Sequence, residues 1–160
     1  MTNKLVVYFS ASGTTAEVAE KVAQAAGADL FEIVPEKPYT SADLNWTDSK
    51  SRTTWEMKDH PEFRPEIASK VDVMAQYDTV FIGFPIWWYI APTIINTFLE
   101  QYDMDGKTIV LFATSGGSGM GKSIQGLEPS APGAKFGQQK LLSAYASQAD
   151  VDKWVASLDI

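Results

Sequence analysis

Uninterrupted apolar runs alternate along this chain with stretches of helical periodicity. Leu5-Val6-Val7-Tyr8-Phe9 is continuous, the pattern of a strand buried on both faces. A loop of small residues follows, Ser10-Ala11-Ser12-Gly13-Thr14-Thr15. From Thr14 to Ala26 the spacing turns helical, with Ala16, Ala19, Ala23 and Ala26 on one face and Gly27 as the stop. Leu30 to Val34 reads as a second strand closed by Pro35, Thr79 to Phe84 as a third and Thr108 to Ala113 as a fourth. A short fifth strand is expected near Ala134 to Phe136. Further helices are expected from Pro92 to Gln101, from Lys122 to Leu127 and from Ala149 to Leu158. In the last of these, Val151, Trp154, Val155 and Leu158 face inward.

One stretch breaks the rhythm. Glu36 to Pro65 is long and polar and carries Trp46, Trp55 and Phe63, with a short helix expected over 47–58. A connection of that length is usually functional or has structure of its own. Beyond Pro65, Ile67, Val71 and Met74 recur at helical spacing. No repeat, low-complexity tract or linker divides the chain, so residues 1–160 read as a single domain.

Strands alternating with helices at this spacing imply parallel β-α-β units. Right-handed crossovers then place helices on both faces of an open sheet. Ligands of such sheets sit beyond the carboxyl ends of the strands. Loops 10–15, 85–92 and 114–121 all fall at that end and are expected to form one site.

Composition narrows the chemistry. A formal net charge of −7 speaks against a nucleic-acid partner or an anionic membrane. The absence of cysteine removes disulfides, thiol nucleophiles, Fe–S clusters and Cys-based zinc sites together. The apolar run Leu5 to Phe9 is too short for a signal-peptide core or a membrane span, so a cytoplasmic location without membrane insertion is expected.

The three loops carry different signals. In the first, Ser10, Ser12, Thr14 and Thr15 crowd around Gly13 between a strand and a helix. Backbone amides, hydroxyls and the helix dipole there favour an anion, and the neutral donors suit a phosphate monoester that is held rather than transferred. The plainer reading is a strand-to-helix turn with Thr14 or Ser12 as N-cap. In the second loop, Trp87-Trp88-Tyr89 cannot all point inward, so at least one faces the crevice, where an indole would stack on a flat ring. The third holds Gly116-x-x-x-x-Gly121-Lys122-Ser123, literally the P-loop pattern. A nucleotide-hydrolysing site also needs a strand ending in Asp or Glu to hold Mg²⁺. The other apolar strands end in Ser10, Val34 and Phe84 or Pro85, so the match is a decoy. The single histidine, His60, reads as a surface residue, and Trp154 and the methionines read as core. No residue is assigned a catalytic or metal-ligating role.

VVYFSASGTTAEVAEKVA, VFIGFPIWWYIAP and VLFATSGGSGMG, in that order, resemble the three cofactor loops of the flavodoxin family. The resemblance runs from Lys4 to the last helix and is nearest to a short bacterial branch with a Pro-Ile-Trp-Trp loop. It implies a flavodoxin-like three-layer α/β sandwich, its five-stranded parallel sheet ordered 2-1-3-4-5. It also implies FMN as cofactor. Ser10, Ser12, Gly13, Thr14 and Thr15 match the loop for the FMN phosphate. Pro85, Ile86, Trp87, Trp88 and Tyr89 match the loop packed on one flavin face, with Trp87 at the position of the stacking aromatic. Thr114, Ser115, Gly116, Gly117 and Gly119 match the loop that meets the pyrimidine edge.

Three departures stand out. Position 14 is threonine where many relatives have asparagine. Trp88 lies where many have the glycine whose peptide turns over to meet the protonated flavin N5. The third loop lacks the tyrosine that covers the second flavin face in some relatives, leaving that face open to a substrate.

The function implied is electron carriage between redox partner proteins, with exposed acids such as Asp103 and Asp105 as candidate docking charges. The alternative is an NAD(P)H-dependent reductase of quinones or similar small acceptors. A flavin-free binding or regulatory module is the remote third. The insert 36–65 is expected to lie over the flavin edge.

Overall fold

The computed structural model describes residues 3–158 apart from 12, 46, 89 and 115–118. Five strands, β1 (Lys4–Tyr8), β2 (Asp29–Glu32), β3 (Thr79–Pro85), β4 (Thr108–Thr114) and β5 (Lys135–Leu141), form one parallel sheet in the order β2-β1-β3-β4-β5. Helices α1 (Thr14–Ala26) and α5 (Gln148–Ala156) cover one face. Helices α3 (Thr93–Glu100) and α4 (Ser123–Leu127) cover the other.

The central strands alternate between two cores, as the period of two requires. Leu5, Val7, Val80, Ile82, Ile109 and Leu111 pack toward α3 with Ile94, Ile95, Phe98 and Leu99. Val6, Phe81, Val110 and Phe112 pack toward α1 and α5 with Val18, Val22, Val151 and Trp154. Gly83 faces Phe112 so closely that a Cβ at 83 would come within 2.2 Å of its ring. The inward stripe of α1 is Thr15, Val18, Ala19, Val22 and Ala23; Ala16 and Ala26 lie only at its margins. The two valines bury more apolar area than alanine does, and that turns the stripe.

β5 is longer than its apolar residues suggest. It is an edge strand, exposed over most of Lys135–Leu141, so ladder bonds to β4 rather than burial define it. The region after Pro65 is not helical apart from a 3₁₀ turn at Met74–Gln76. Instead, Ile67 bridges antiparallel to Pro35 beside the continuation of β2. Ala68 N–H donates to the Val34 carbonyl at 2.7 Å, and Ser69 Oγ donates to the Glu32 carbonyl at 2.9 Å. Val71 and Met74 are still buried, which accounts for their apolar character without a helix. Buried Lys107 holds this segment down, its ammonium donating to the carbonyls of Met74 and Tyr77.

The expected helix over 47–58 is present in shorter form. Ser51 caps α2 (Arg52–Thr54), its side chain accepting from the Thr54 N–H, and the chain continues as a π-helical turn through Trp55–Asp59. His60 N–H closes that turn on the Trp55 carbonyl at 2.7 Å. Among the described residues, no helix is long and apolar enough to cross a membrane.

Candidate functional site

The described parts of the three loops converge beyond the carboxyl ends of β1, β3 and β4, and two hydrogen bonds lock them together. Thr15 and Thr114, at the start of α1 and the end of β4, share a buried hydroxyl–hydroxyl bond of 2.7 Å. Ile86 N–H donates to the Thr114 carbonyl at 3.1 Å, joining the second loop to the third. Ser12, Tyr89, Ser115, Gly116 and Gly117 lie outside the described residues.

In the first loop Ser10 Oγ accepts from the Gly13 N–H at 3.0 Å, and Gly13 takes φ 91°. Gly13 is the N-cap of α1, with no side-chain cap on the helix. The plainer reading of a Thr14 cap is therefore not what forms, because Thr14 is already the first helical residue. Among the described residues no side chain caps the first-turn amides of this thirteen-residue helix, and a Cβ built on Gly13 would meet nothing within 4 Å. Uncapped amides beside open space at a positive helix end match a phosphate dianion.

The second loop is a tight turn. Trp87 and Ile90 exchange both backbone bonds, at 3.0 and 3.2 Å. Trp88, first in that turn, has φ 54°, the one positive value among described non-glycine residues. Two-residue turns of this kind require positive φ at their first central position, the reason glycine usually stands there. Trp88 Nε1 is also buried without a hydrogen-bond partner, and the Lys58 ammonium lies 5.6 Å from its ring centroid.

Trp87 stands in an aromatic cluster. Its ring meets Phe9 edge-to-face at 5.5 Å and Tyr39 at 5.2 Å, and Phe9 and Tyr39 meet each other at 5.6 Å. Tyr39 comes from the insert, and its hydroxyl donates to Glu56 Oε1 at 2.5 Å. Burial, reinforced by the Glu56 carboxylate, pushes the Tyr39 phenol well above its ordinary value, so it remains a donor. Arg52 completes the group: Nε donates to Glu56 Oε2 at 2.8 Å and the guanidinium lies 3.7 Å over the Tyr39 ring.

The sequence reading missed Tyr39, Glu56 and Arg52. The visible signal was Arg52 and Glu56 at i,i+4 spacing, the separation that brings opposite charges together on a helix. His60 is not a plain surface residue, since it is half-buried and stacks on Trp55 at 4.1 Å. Asp103 and Asp105 precede the amino-terminal end of β4, about 20 Å of strand away from the loops. The P-loop reading fails on Ser123, which is fully buried with its hydroxyl donating to the Met120 carbonyl at 2.6 Å.

A family model for flavodoxin matches residues 3–158. The chain belongs to the flavodoxin family. This flavodoxin-family protein is 46% identical to a candidate flavoprotein from Bacteroides eggerthii, with 98% of each chain covered and a TM-score of 0.90. A similar protein from Bacteroides uniformis is 47% identical, over 96% of this chain and 97% of that one, with a TM-score of 0.90. A flavoprotein from Lactobacillus acidophilus, solved in complex with FMN, is 25% identical over 95% and 97% of the two chains, with a TM-score of 0.68. No curated protein matches significantly. The sheet order 2-1-3-4-5 with helices on both faces is the flavodoxin-like fold.

Proposed function

We propose that this protein binds FMN and carries electrons between redox partners. The supporting observation is the first loop, where the start of α1, uncapped by any described side chain, faces open space beside Ser10 and Gly13. Those amides, with the hydroxyls of Ser10, Ser12, Thr14 and Thr15, would hold the phosphate. Trp87 and its neighbours Pro85, Ile86, Trp88 and Tyr89 would cover one face of the ring. The third loop, Thr114 to Gly119, would meet the pyrimidine edge. The flavin supplies the redox chemistry, while the protein orients it, excludes water from one face and sets its potentials.

A second reading has a specific observation behind it. The Trp88 turn is pinned by both Trp87–Ile90 bonds and carries a bulky residue at positive φ, which resists rearrangement. A turn that cannot follow the protonation of flavin N5 favours two-electron chemistry, with NAD(P)H as hydride donor and a quinone or similar acceptor.

Visible spectra during slow anaerobic reduction of the FMN-loaded protein separate the two. The carrier reading expects a blue, half-reduced species to accumulate midway. Direct passage from oxidised to fully reduced flavin would favour the reductase instead. Protein that stays colourless when offered FMN would overturn both.

A further inference from the structure

The insert between β2 and β3 meets the aromatic loop at Lys58, over the Trp88 ring, and more closely at a second residue, packed against Trp87. That residue is Tyr39. Its ring is wedged edge-on against Trp87 and Phe9, and its hydroxyl reaches back into the insert to Glu56. Glu56 is only 2% exposed, and both its oxygens are used, one by Tyr39 and one by Arg52. Arg52 also donates to the Lys37 carbonyl at 2.7 Å, so it ties the two chain segments on either side of the Tyr39 ring. The phenol is thereby held at three places: its ring by Arg52, its hydroxyl by Glu56 and its flank by two aromatic neighbours.

Trp87 is partly buried and packs against the core. Its backbone is held by Ile90, while the described ring contacts of its indole are Phe9 and Tyr39. Phe9 is almost fully buried just after β1. Tyr39 packs beside Phe9 against the same indole, and the three rings meet one another edge-to-face. An edge-to-face pair has a preferred geometry, so a fixed phenol selects one orientation of the neighbouring indole.

From this geometry we propose that Tyr39, locked by Glu56 and Arg52, is a positioning residue that sets the orientation of Trp87 and so tunes the affinity and electronic environment of a flat ring stacked upon it. The proposal rests on the FMN reading above for the identity of that ring. The insert then has a defined role: it carries the clamp for the stacking tryptophan. Tyr39 touches no cofactor atom in this account and acts only through Trp87.

The test is a double-mutant cycle on FMN affinity with Tyr39→Leu, Trp87→Leu and the pair, accompanied by visible circular dichroism of the bound flavin. Tyr39→Leu is expected to raise the Kd for FMN by about tenfold and to alter the flavin dichroism. In the Trp87→Leu background the same change is expected to have no further effect, because the indole it positions is gone. Tyr39→Phe keeps the ring and its Arg52 contact and loses only the Glu56 bond, so its affinity should fall between those of Tyr39→Leu and the wild type. Additive losses in the cycle, or a Tyr39→Leu protein with wild-type Kd and dichroism, would overturn the proposal. If the wild-type protein binds no FMN, the functional reading falls, but the clamp is still decided by the Trp87 indole N–H resonance in ¹H–¹⁵N spectra. A resonance displaced by Tyr39→Leu and partly restored by Tyr39→Phe supports it; an unmoved one overturns it.

Discussion

Thr15 and Thr114, ninety-nine residues apart, face each other through a buried 2.7 Å hydroxyl–hydroxyl bond that ties the first of the three converging loops to the third. Neither hydroxyl reaches water, since both residues are about 95% buried or more. Replacing one by valine leaves the other without this partner in the dry interior, a cost of about 1–3 kcal/mol. Thr114→Val is expected to lower unfolding free energy by that amount in urea, with the slope of the transition unchanged. The Thr15→Val, Thr114→Val pair should lose less than the sum of the single changes, because no orphaned hydroxyl remains.

Trp88 offers a cleaner comparison. Trp88→Gly and Trp88→Ala remove the same indole, together with its unpartnered N–H, but only alanine keeps a Cβ at φ 54°. The glycine variant should therefore be more stable than the alanine variant by about 1 kcal/mol in denaturant unfolding. Equal stabilities would mean that the turn relaxes once the indole is gone. The freer turn of Trp88→Gly should also raise the yield of half-reduced flavin over wild type in the anaerobic titration.

Gly83 faces Phe112 across the β3–β4 pairing. A methyl group at 83 would sit 2.2 Å from the ring, so Gly83→Ala must displace a fully buried phenyl between the sheet and the α1/α5 layer. Overpacking of this kind costs about 1–3 kcal/mol. Adding Phe112→Leu should recover part of the loss, which thermal melts of the single and double variants would reveal.

High pH should loosen the insert. Tyr39 has its ionisation pushed above the ordinary 10.0 by burial and by Glu56, so the folded protein keeps a proton that the unfolded chain releases. Its contribution to stability is fully present below pH 10 and declines as pH rises beyond that value. Unfolding free energy should fall more steeply above pH 10 in the wild type than in Tyr39→Phe. Tyr8 and Tyr77 shift in the same direction, so the slope is reduced in that variant rather than abolished.

Much of the fold was readable because burial writes itself into residue type. Strands β1, β3 and β4 are covered on both faces and therefore appear as unbroken apolar runs, and their alternation with helical periodicity dictates parallel pairing. The loops followed directly, since parallel topology sends the ends of β1, β3 and β4 to one edge. β5 was seen only as a fragment, because an exposed edge strand needs hydrogen bonds but no apolar residues. The spacing of Ile67, Val71 and Met74 mimicked a helix because three inward contacts along a turning segment can fall at the same intervals.

The sequence by itself determined the α/β class, the strand order through its family resemblance, and the placing of three candidate cofactor loops at one end of the sheet. All of these depend on local pattern and on chirality rules that hold for any chain. Only the tertiary structure decided how the loops are coupled. The Thr15–Thr114 bond, the left-handed Trp88 and the wedge of Tyr39 between Trp87 and Arg52 each join segments that no local periodicity relates. Such contacts arise from the packing of whole elements, and a polar residue like Glu56 reveals its role only once it is known to be buried and what it bonds.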